Sequence, residues 1–480
     1  MKYLTLILVS SLLMACGESL SFKVPDKSLI EEQFSKGNFT EAGKMIGLYL
    51  ANDSISEHER YEMNFKLELM ERIKKDFTKK DTFVIRYIKE HYPEVTEAEV
   101  KAWEASNALE NMIIDGEKWY FNSAARNLFR IDKEASKRYK LPNGGQSDSL
   151  NRFLEWYIPR IVSQSKNSKK VLDSPVKMRV KYTLTVKPDQ VPAGEVVRVW
   201  MPYPRQDVAS HTGIELLSAS QPLYVISPDT YPHKSIYMEQ EAIEGEPLSF
   251  SYEFVYTSYA QVHLFKPETV QQYDTSSTIY REYTKQSEPH ILFSRNIQDK
   301  VKEVVGDEQN PYIKVKKIYE WIDTNFPWAS AREYSTISNI PEYVLANRHG
   351  DCGQVSLLFI TMARAAGVPA KWQSGWMMHP GNKNLHDWAE VYFEGVGWVP
   401  VDQSFGRVFG NEGNDETYYF FTKGLDPYRL IVNQDISGPF FPAKIYPRSE
   451  TVDFQRGEVE WRGGNLYFDR WRYNMQIDYL

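Results

Sequence analysis

The sequence predicts a multidomain α+β protein, and three observations carry that prediction. Apolar residues recur at spacings of three and four through residues 28–165, the period of helices. The pattern then turns to strict alternation at Met178, Val180, Tyr182, Leu184 and Val186, the period of a half-buried strand. From about residue 265 the two periods mix. An all-α domain (28–165), a β-sandwich domain (175–262), a mixed core (265–435) and a β-rich extension (436–480) are therefore expected in that order. A chain of 480 residues, 42% hydrophobic and 25% charged, is long enough for about three such cores.

The helical region opens on the stripe Phe39, Ala42, Met45, Ile46, Tyr49 and Leu50. Gly37-Asn38 and Asn52-Asp53-Ser54 mark breaks around it. Leu67, Met70, Ile73 and Phe77 form a second stripe, and Val84, Tyr87 and Ile88 a third. The opening has the look of a tetratricopeptide-type hairpin, but no repeat of fixed period follows. Residues 166–174 read as a linker. Val196 to Met201 and Ser249 to Tyr256 are further strands, separated by Pro, Gly, Asp and Ser clusters as in a small antiparallel sandwich. Ile313 to Phe326 predicts an amphipathic helix. Arg462-Gly463-Gly464-Asn465 predicts a hairpin turn near the end.

The first residues predict export. Lys2 precedes an apolar run from Leu4 to Met14 that is too short to span a bilayer. It ends in Leu13-Met14-Ala15-Cys16, which resembles the lipobox of bacterial lipoproteins. That resemblance implies cleavage after residue 15, a diacylglycerol on Cys16, and a protein anchored in the cell envelope, on the periplasmic face or the cell surface. The net charge of −7 gives no overall basic field for nucleic acid. Of two cysteines, lipidation would use Cys16, leaving Cys352 without a disulfide partner and with too few companions for a cysteine zinc site.

Cys352 stands in Gly350-Asp351-Cys352-Gly353-Gln354, ahead of the apolar stripe Val355, Leu358, Phe359, Met362 and Ala366. Gly367 and Pro369 close that helix, and Asp351 is its expected N-cap. The cysteine then sits in the first turn, where free N–H groups and the positive dipole end are expected to lower the thiol pKa and to receive an oxyanion. Downstream, His386-Asp387-Trp388-Ala389-Glu390-Val391 and Trp398-Val399-Pro400-Val401-Asp402 read as paired strands around Glu394-Gly395-Val396-Gly397, after a loop at His379–Asn384. Strict register places Asp402 nearer Ala389 than His386, so a His386–Asp402 contact is expected to need a bulge or another turn. If they meet, the carboxylate orients an imidazole that takes the thiol proton.

These blocks, with Arg364-Ala365-Ala366-Gly367-Val368-Pro369-Ala370 between them, resemble the transglutaminase-like superfamily over roughly residues 300–410. That family includes animal transglutaminases, peptide N-glycanases and many bacterial proteins. The resemblance implies a papain-like α+β core with Cys352 as nucleophile, His386 as general base and acid, and Asp402 as orienter. Among the aromatic residues, Trp388 is the expected groove wall. Trp328 or Tyr334 is a candidate to assist the oxyanion, as an aromatic does in some relatives. His349 and His379 suit surface or substrate-contact roles better than catalysis. The acidic run Asn411–Glu416 lacks the spacing of a calcium loop, so neither metal nor cofactor is expected. The expected reaction is attack on an amide or peptide carbonyl of a peptide, protein or cell-wall peptide, most simply ending in hydrolysis. Cross-linking transfer to an amine is the alternative at the same site. The 14% aromatic content keeps a third reading open, a non-enzymatic lipoprotein that binds a glycan or protein.

Overall fold

The computed structural model describes residues 24–139 and 148–480. The expected signal segment and Cys16 lie outside the described residues. Among the described residues two compact units are present, one from residues 24–70 and Ile113–Glu117, the other from the remaining residues. Among the described residues, no helix is long and apolar enough to cross a membrane.

In the first unit, α1 (Lys27–Ser35) is capped by Asp26, whose carboxylate accepts from the Ser28 amide. Helix α2 (Phe39–Leu50) buries Phe39, Ala42, Met45, Ile46 and Tyr49, the stripe its spacing predicts. Between them Gly37 adopts φ +75°, and a Cβ there would overlap the Ile113 carbonyl oxygen. The next helix, α3, spans Glu57–Asp76.

The chain continues with α4 (Asp81–His91), α5 (Glu97–Ala105), α6 (Ala124–Ile131), α7 (Lys133–Arg138) and α8 (Asp148–Ser168). Three short strands, β1 (Phe77–Lys79), β2 (Asn111–Ile114) and β3 (Glu117–Phe121), interrupt a stretch that the periodicity reads as purely helical. Strands of three to five residues are too short to imprint a period of two. The expected linker shrinks to residues 169–171, because α8 runs to Ser168 and the next strand starts at Leu172.

Six strands follow: β4 (Leu172–Val186), β5 (Val196–Pro202), β6 (His211–Ala219), β7 (Tyr224–Ile226), β8 (Ser235–Glu241) and β9 (Leu248–Val262). Then come α9 (Thr278–Tyr283), α10 (Arg295–Val305), α11 (Pro311–Asn325), α12 (Ile340–Asn347) and α13 (Cys352–Ala365). A hairpin β10 (Ala370–His379) and β11 (Asn382–Phe393), then β12 (Gly397–Val401), α14 (Asp415–Tyr418), β13 (Gly424–Leu425) and β14 (Arg429–Asn433) complete the core. The chain ends in β15 (Glu458–Trp461), β16 (Gly464–Asn465) and β17 (Trp471–Tyr479).

These strands form two five-stranded sheets and a four-stranded one. One sheet runs β13-β9-β4-β17 with β6 also on β9, another β16-β15-β5-β8-β7. The last strands thus pair into both sheets: β17 lies along β4 from Trp471 opposite Val186 to Tyr479 opposite Met178, and β15 pairs with β5. Met178, Val180, Tyr182, Leu184 and Val186 all point into the core between these sheets. The third sheet, β12-β11-β10-β14, is antiparallel and packs on α13. Helix α13 buries twelve of its fourteen residues, all but Cys352 and Ala365. The sequence shows only a stripe; burial on every side arises because α10, α11, α12 and the sheet surround the helix. The expected loop at 379–384 is instead a tight hairpin, with His379 opposite Asn382 and Gly381 at φ +78°.

Candidate active site

Cys352 is the first residue of α13, and Asp351 is its N-cap, accepting from the Gln354 amide at 3.1 Å while the Gln354 side chain reaches back to the Asp351 amide. Tyr334 Oη donates to Asp351 Oδ1 at 2.6 Å and fixes the cap from outside. Gly353 presents a bare Cα to this wall, because a Cβ there would overlap Tyr334 Oη and press on Asp387 Oδ2. Gly353→Ala is therefore expected to displace both groups and slow Cys352 chemistry about tenfold or more, since misplacement of about 1 Å costs up to 10²-fold. Rates of Cys352 acylation by a peptide amide, beside a melting curve, would check this.

The His386–Asp402 contact forms without a bulge. Strands β11 and β12 pair in regular register from Phe393 opposite Gly397 to Ala389 opposite Val401, and there the ladder ends. Asp402 turns away, its amide donating to the Phe421 carbonyl at 2.8 Å. Its carboxylate reaches diagonally back to His386, with Nε2 to Oδ2 at 2.7 Å. Early termination of β12 also leaves the 386–388 edge of β11 open to the first turn of α13.

Behind Asp402 lies a buried charge cluster that the sequence gives no sign of. Arg429 Nη1 is 2.8 Å from Asp402 Oδ2, and Arg429 Nη2 is 2.8 Å from Asp426 Oδ2. His379 Nε2 is 2.9 Å from Asp426 Oδ1. The Arg429 Nη1 and His379 contacts are close in distance but lack hydrogen-bond alignment, so they act as charge contacts. Burial alone would raise the Asp402 carboxyl, but His386 and Arg429 outweigh it and hold the group below its usual range. Burial lowers His386 from the ordinary histidine value, partly offset by Asp402. The imidazole is thus neutral at pH 7, with Nε2 committed to Asp402 and Nδ1 left to receive a proton.

The thiol differs from expectation. Placement at the helix N-terminus is as the sequence predicts, but burial first, then the Asp387 and Asp351 carboxylates, push the Cys352 thiol well up. Among the described residues the Sγ hydrogen bond goes to Asp387 Oδ2, at 3.2 Å, rather than to the His386 ring. Cys352 as a residue is nonetheless only half-buried. Cys352 and His386 open onto one cavity of about 410 Å³, also lined by Trp328, Tyr334, Phe405 and Asp387.

The remaining expectations divide. Trp328 is 39% exposed on the cavity wall, tied beside the Cys352 loop by its bridge to Gly350. Trp388 is fully buried, its Nε1 donating to Gln373 Oε1 at 2.7 Å, so the groove role expected for it does not hold. It stacks 5.8 Å from the His386 ring and backs that ring instead. Tyr334 lines the cavity with its hydroxyl engaged on Asp351. His349 is 2% exposed and lowered to about 4 by burial, and His379 is buried in the Asp426 contact, so neither is a surface residue. Sequence reasoning missed Asp387, Gln455 and Arg429. Asp387 alone had a signal, as the residue beside His386 on a strand whose edge meets Cys352.

Comparison with known proteins agrees with this core. Residues 298–403 match the model of the transglutaminase-like superfamily. The uncharacterized protein YebA of Bacillus subtilis strain 168 is 28% identical over 118 residues, 21% of this chain and 16% of that protein. An uncharacterized protein of Haemophilus influenzae is 27% identical over 151 residues, 26% of this chain and 40% of that protein. The chain thus matches less than half the length of either curated relative. Among solved structures, a candidate cysteine protease from Cytophaga hutchinsonii shares 15% identity at TM-score 0.43, covering 64% of this chain and 92% of that one. The periplasmic domain of TgpA from Pseudomonas aeruginosa shares 14% identity at TM-score 0.25, covering 55% of this chain and 94% of that one.

Proposed function

We propose, on the premise of a transglutaminase-like core over residues 298–403, that this chain is a cysteine hydrolase of amide or peptide bonds, exported and lipid-anchored through Cys16. One observation carries the reading: Cys352 and His386 open onto the same cavity, and His386 Nε2 is held by Asp402 at 2.7 Å. In this reading His386 Nδ1 takes the thiol proton as Sγ attacks the carbonyl carbon. The C–N bond then breaks, His386 returns the proton to the leaving amine, and a thioester remains on Cys352. Water, deprotonated by His386, releases the acid. Because the thiol is raised and the imidazole lowered, the resting pair is neutral, and the proton moves during attack rather than before it. The free amides of Cys352 and Gly353 suit the oxyanion, since the Gln354 amide is used by Asp351. The Leu4–Cys16 pattern supports export and anchoring.

The test is mass spectrometry of the chain after incubation with peptide and cell-wall peptide libraries. A thioester adduct on Cys352, lost in His386→Ala, with free acid and amine as products, is the expected result. An isopeptide product would move the assignment to acyl transfer. A Cys352→Ala chain that keeps every measured function would favour a binding protein and end the reading.

A further inference from the structure

Cys352 Sγ donates to a carboxylate that the mechanism above does not use. Asp387 Oδ2 lies 3.2 Å from the sulfur, and Asp387 is only 3% exposed. Its Oδ1 accepts from Gln455 Nε2 at 2.6 Å. Asp453, itself buried, lies beside it: Ser374 stands opposite Asp387 in the β10–β11 ladder and donates to Asp453, and both carboxyls line the same cavity. Asp453 in turn accepts from Asn433 Nδ2 at 2.6 Å, from the Phe454 amide at 2.7 Å and from Ser374 Oγ. These bonds fix the second carboxyl against the first. Two buried carboxyls in contact cannot both ionise at ordinary cost, so one proton is shared between them. The other titratable or charged groups facing this pair are Asp351 and Tyr334 on the α13 side, and Glu450 and Arg448 on the Asp453 side.

We propose that Asp387 and Asp453 form a proton-sharing pair that gates the nucleophile, with Asp387 acting directly on the Cys352 sulfur. The inference rests on Cys352 being the nucleophile. With one proton on the pair, Asp387 presents a nearly neutral oxygen, and the S–H proton passes to His386 Nδ1 as the sulfur attacks. Once the pair loses its proton, the carboxylate keeps S–H as its donor and opposes a second negative charge beside it. The gate opens on the acid side and tightens as pH rises.

Alkylation of Cys352 by iodoacetamide in the full chain, followed by mass spectrometry from pH 5 to 9, reads the gate without any substrate. Asp387→Asn removes the charge at the sulfur and is expected to speed alkylation at pH 7 about tenfold or more, the change that one pKa unit brings below the thiol pKa. Asp453→Asn leaves the full negative charge on Asp387 and is expected to slow it. General damage to the site would move both variants the same way, so opposite signs are the signature. An unchanged or slower Asp387→Asn, or a faster Asp453→Asn, overturns the gate. If Asp387→Asn does not fold, the pH profile of Asp453→Asn decides: slowing greatest at pH 5 and fading toward pH 9 supports the gate, and equal slowing at every pH overturns it. Loss of the alkylation contrast with amide turnover intact refutes only this inference. An intact contrast in a chain that acylates with nothing refutes only the functional reading.

Discussion

Turnover of any amide substrate is expected to vanish in Cys352→Ala and to fall about 10²–10⁴-fold in His386→Ala, the usual worth of a positioned general base. The sulfur has no substitute, since Cys352 is the only cysteine among the described residues. The histidine effect is large because the thiol is pushed up by burial and by its carboxylate neighbours. Such a thiol does not ionise unaided at neutral pH, so attack depends on a base at the moment of reaction. His386 must be neutral to serve, and its pKa lies below the ordinary histidine value. Activity should therefore persist as pH falls to that value and drop only beneath it. Steady-state rates from pH 4 to 8 on the peptide that acylates Cys352 would measure all three effects. A Cys352→Ala chain retaining more than about 1% of the rate would contradict the mechanism, as would a His386→Ala chain within about 10-fold of wild type.

Arg429→Met is expected to destabilise the chain by about 3–5 kcal/mol, the cost of breaking a buried ion pair from one side. Arg429 is fully buried between Asp402 and Asp426, 2.8 Å from each. A methionine fills similar volume but leaves two carboxylates without their cation. Both carboxyls are held below their usual range against the opposing effect of burial, Asp402 by His386 and Arg429, Asp426 by Arg429 and His379. Groups depressed in the folded state contribute stability above their unfolded pKa of about 3.9, and that contribution is lost as pH falls. The gap between wild type and Arg429→Met should thus be widest above about pH 5 and close toward pH 3. Urea unfolding at pH 7 and pH 4 would test the sign. Equal penalties at both values would mean that lost packing, not stranded charge, dominates.

Local signals were legible wherever one segment sufficed. The α2 stripe, the alternation along β4, the Asp351 cap and the Cys352 position at the start of α13 all follow from period and capping chemistry. The His386–Asp402 meeting was legible as a contact but not in its geometry. Register alone put Asp402 too far along, and the ladder's early end at Val401 supplied the diagonal reach. Trp388 illustrates the limit from the other side. A tryptophan beside a catalytic motif fits a groove wall or a core equally well, and only packing places it behind the imidazole.

Sequence by itself determined where Cys352, His386 and Asp402 stand in the core, because the helix start, the two strands and their order are written in local spacing. Tertiary structure decided the charge state of those side chains. The groups that set it, Asp387, Asp426 and Arg429 among them, come from segments up to about eighty residues from Cys352, and electrostatic influence depends on distance and burial in space rather than on separation along the chain. A cysteine at a helix N-terminus reads as an activated thiol. The same cysteine beside buried carboxylates is a protonated one, and no local pattern distinguishes the two.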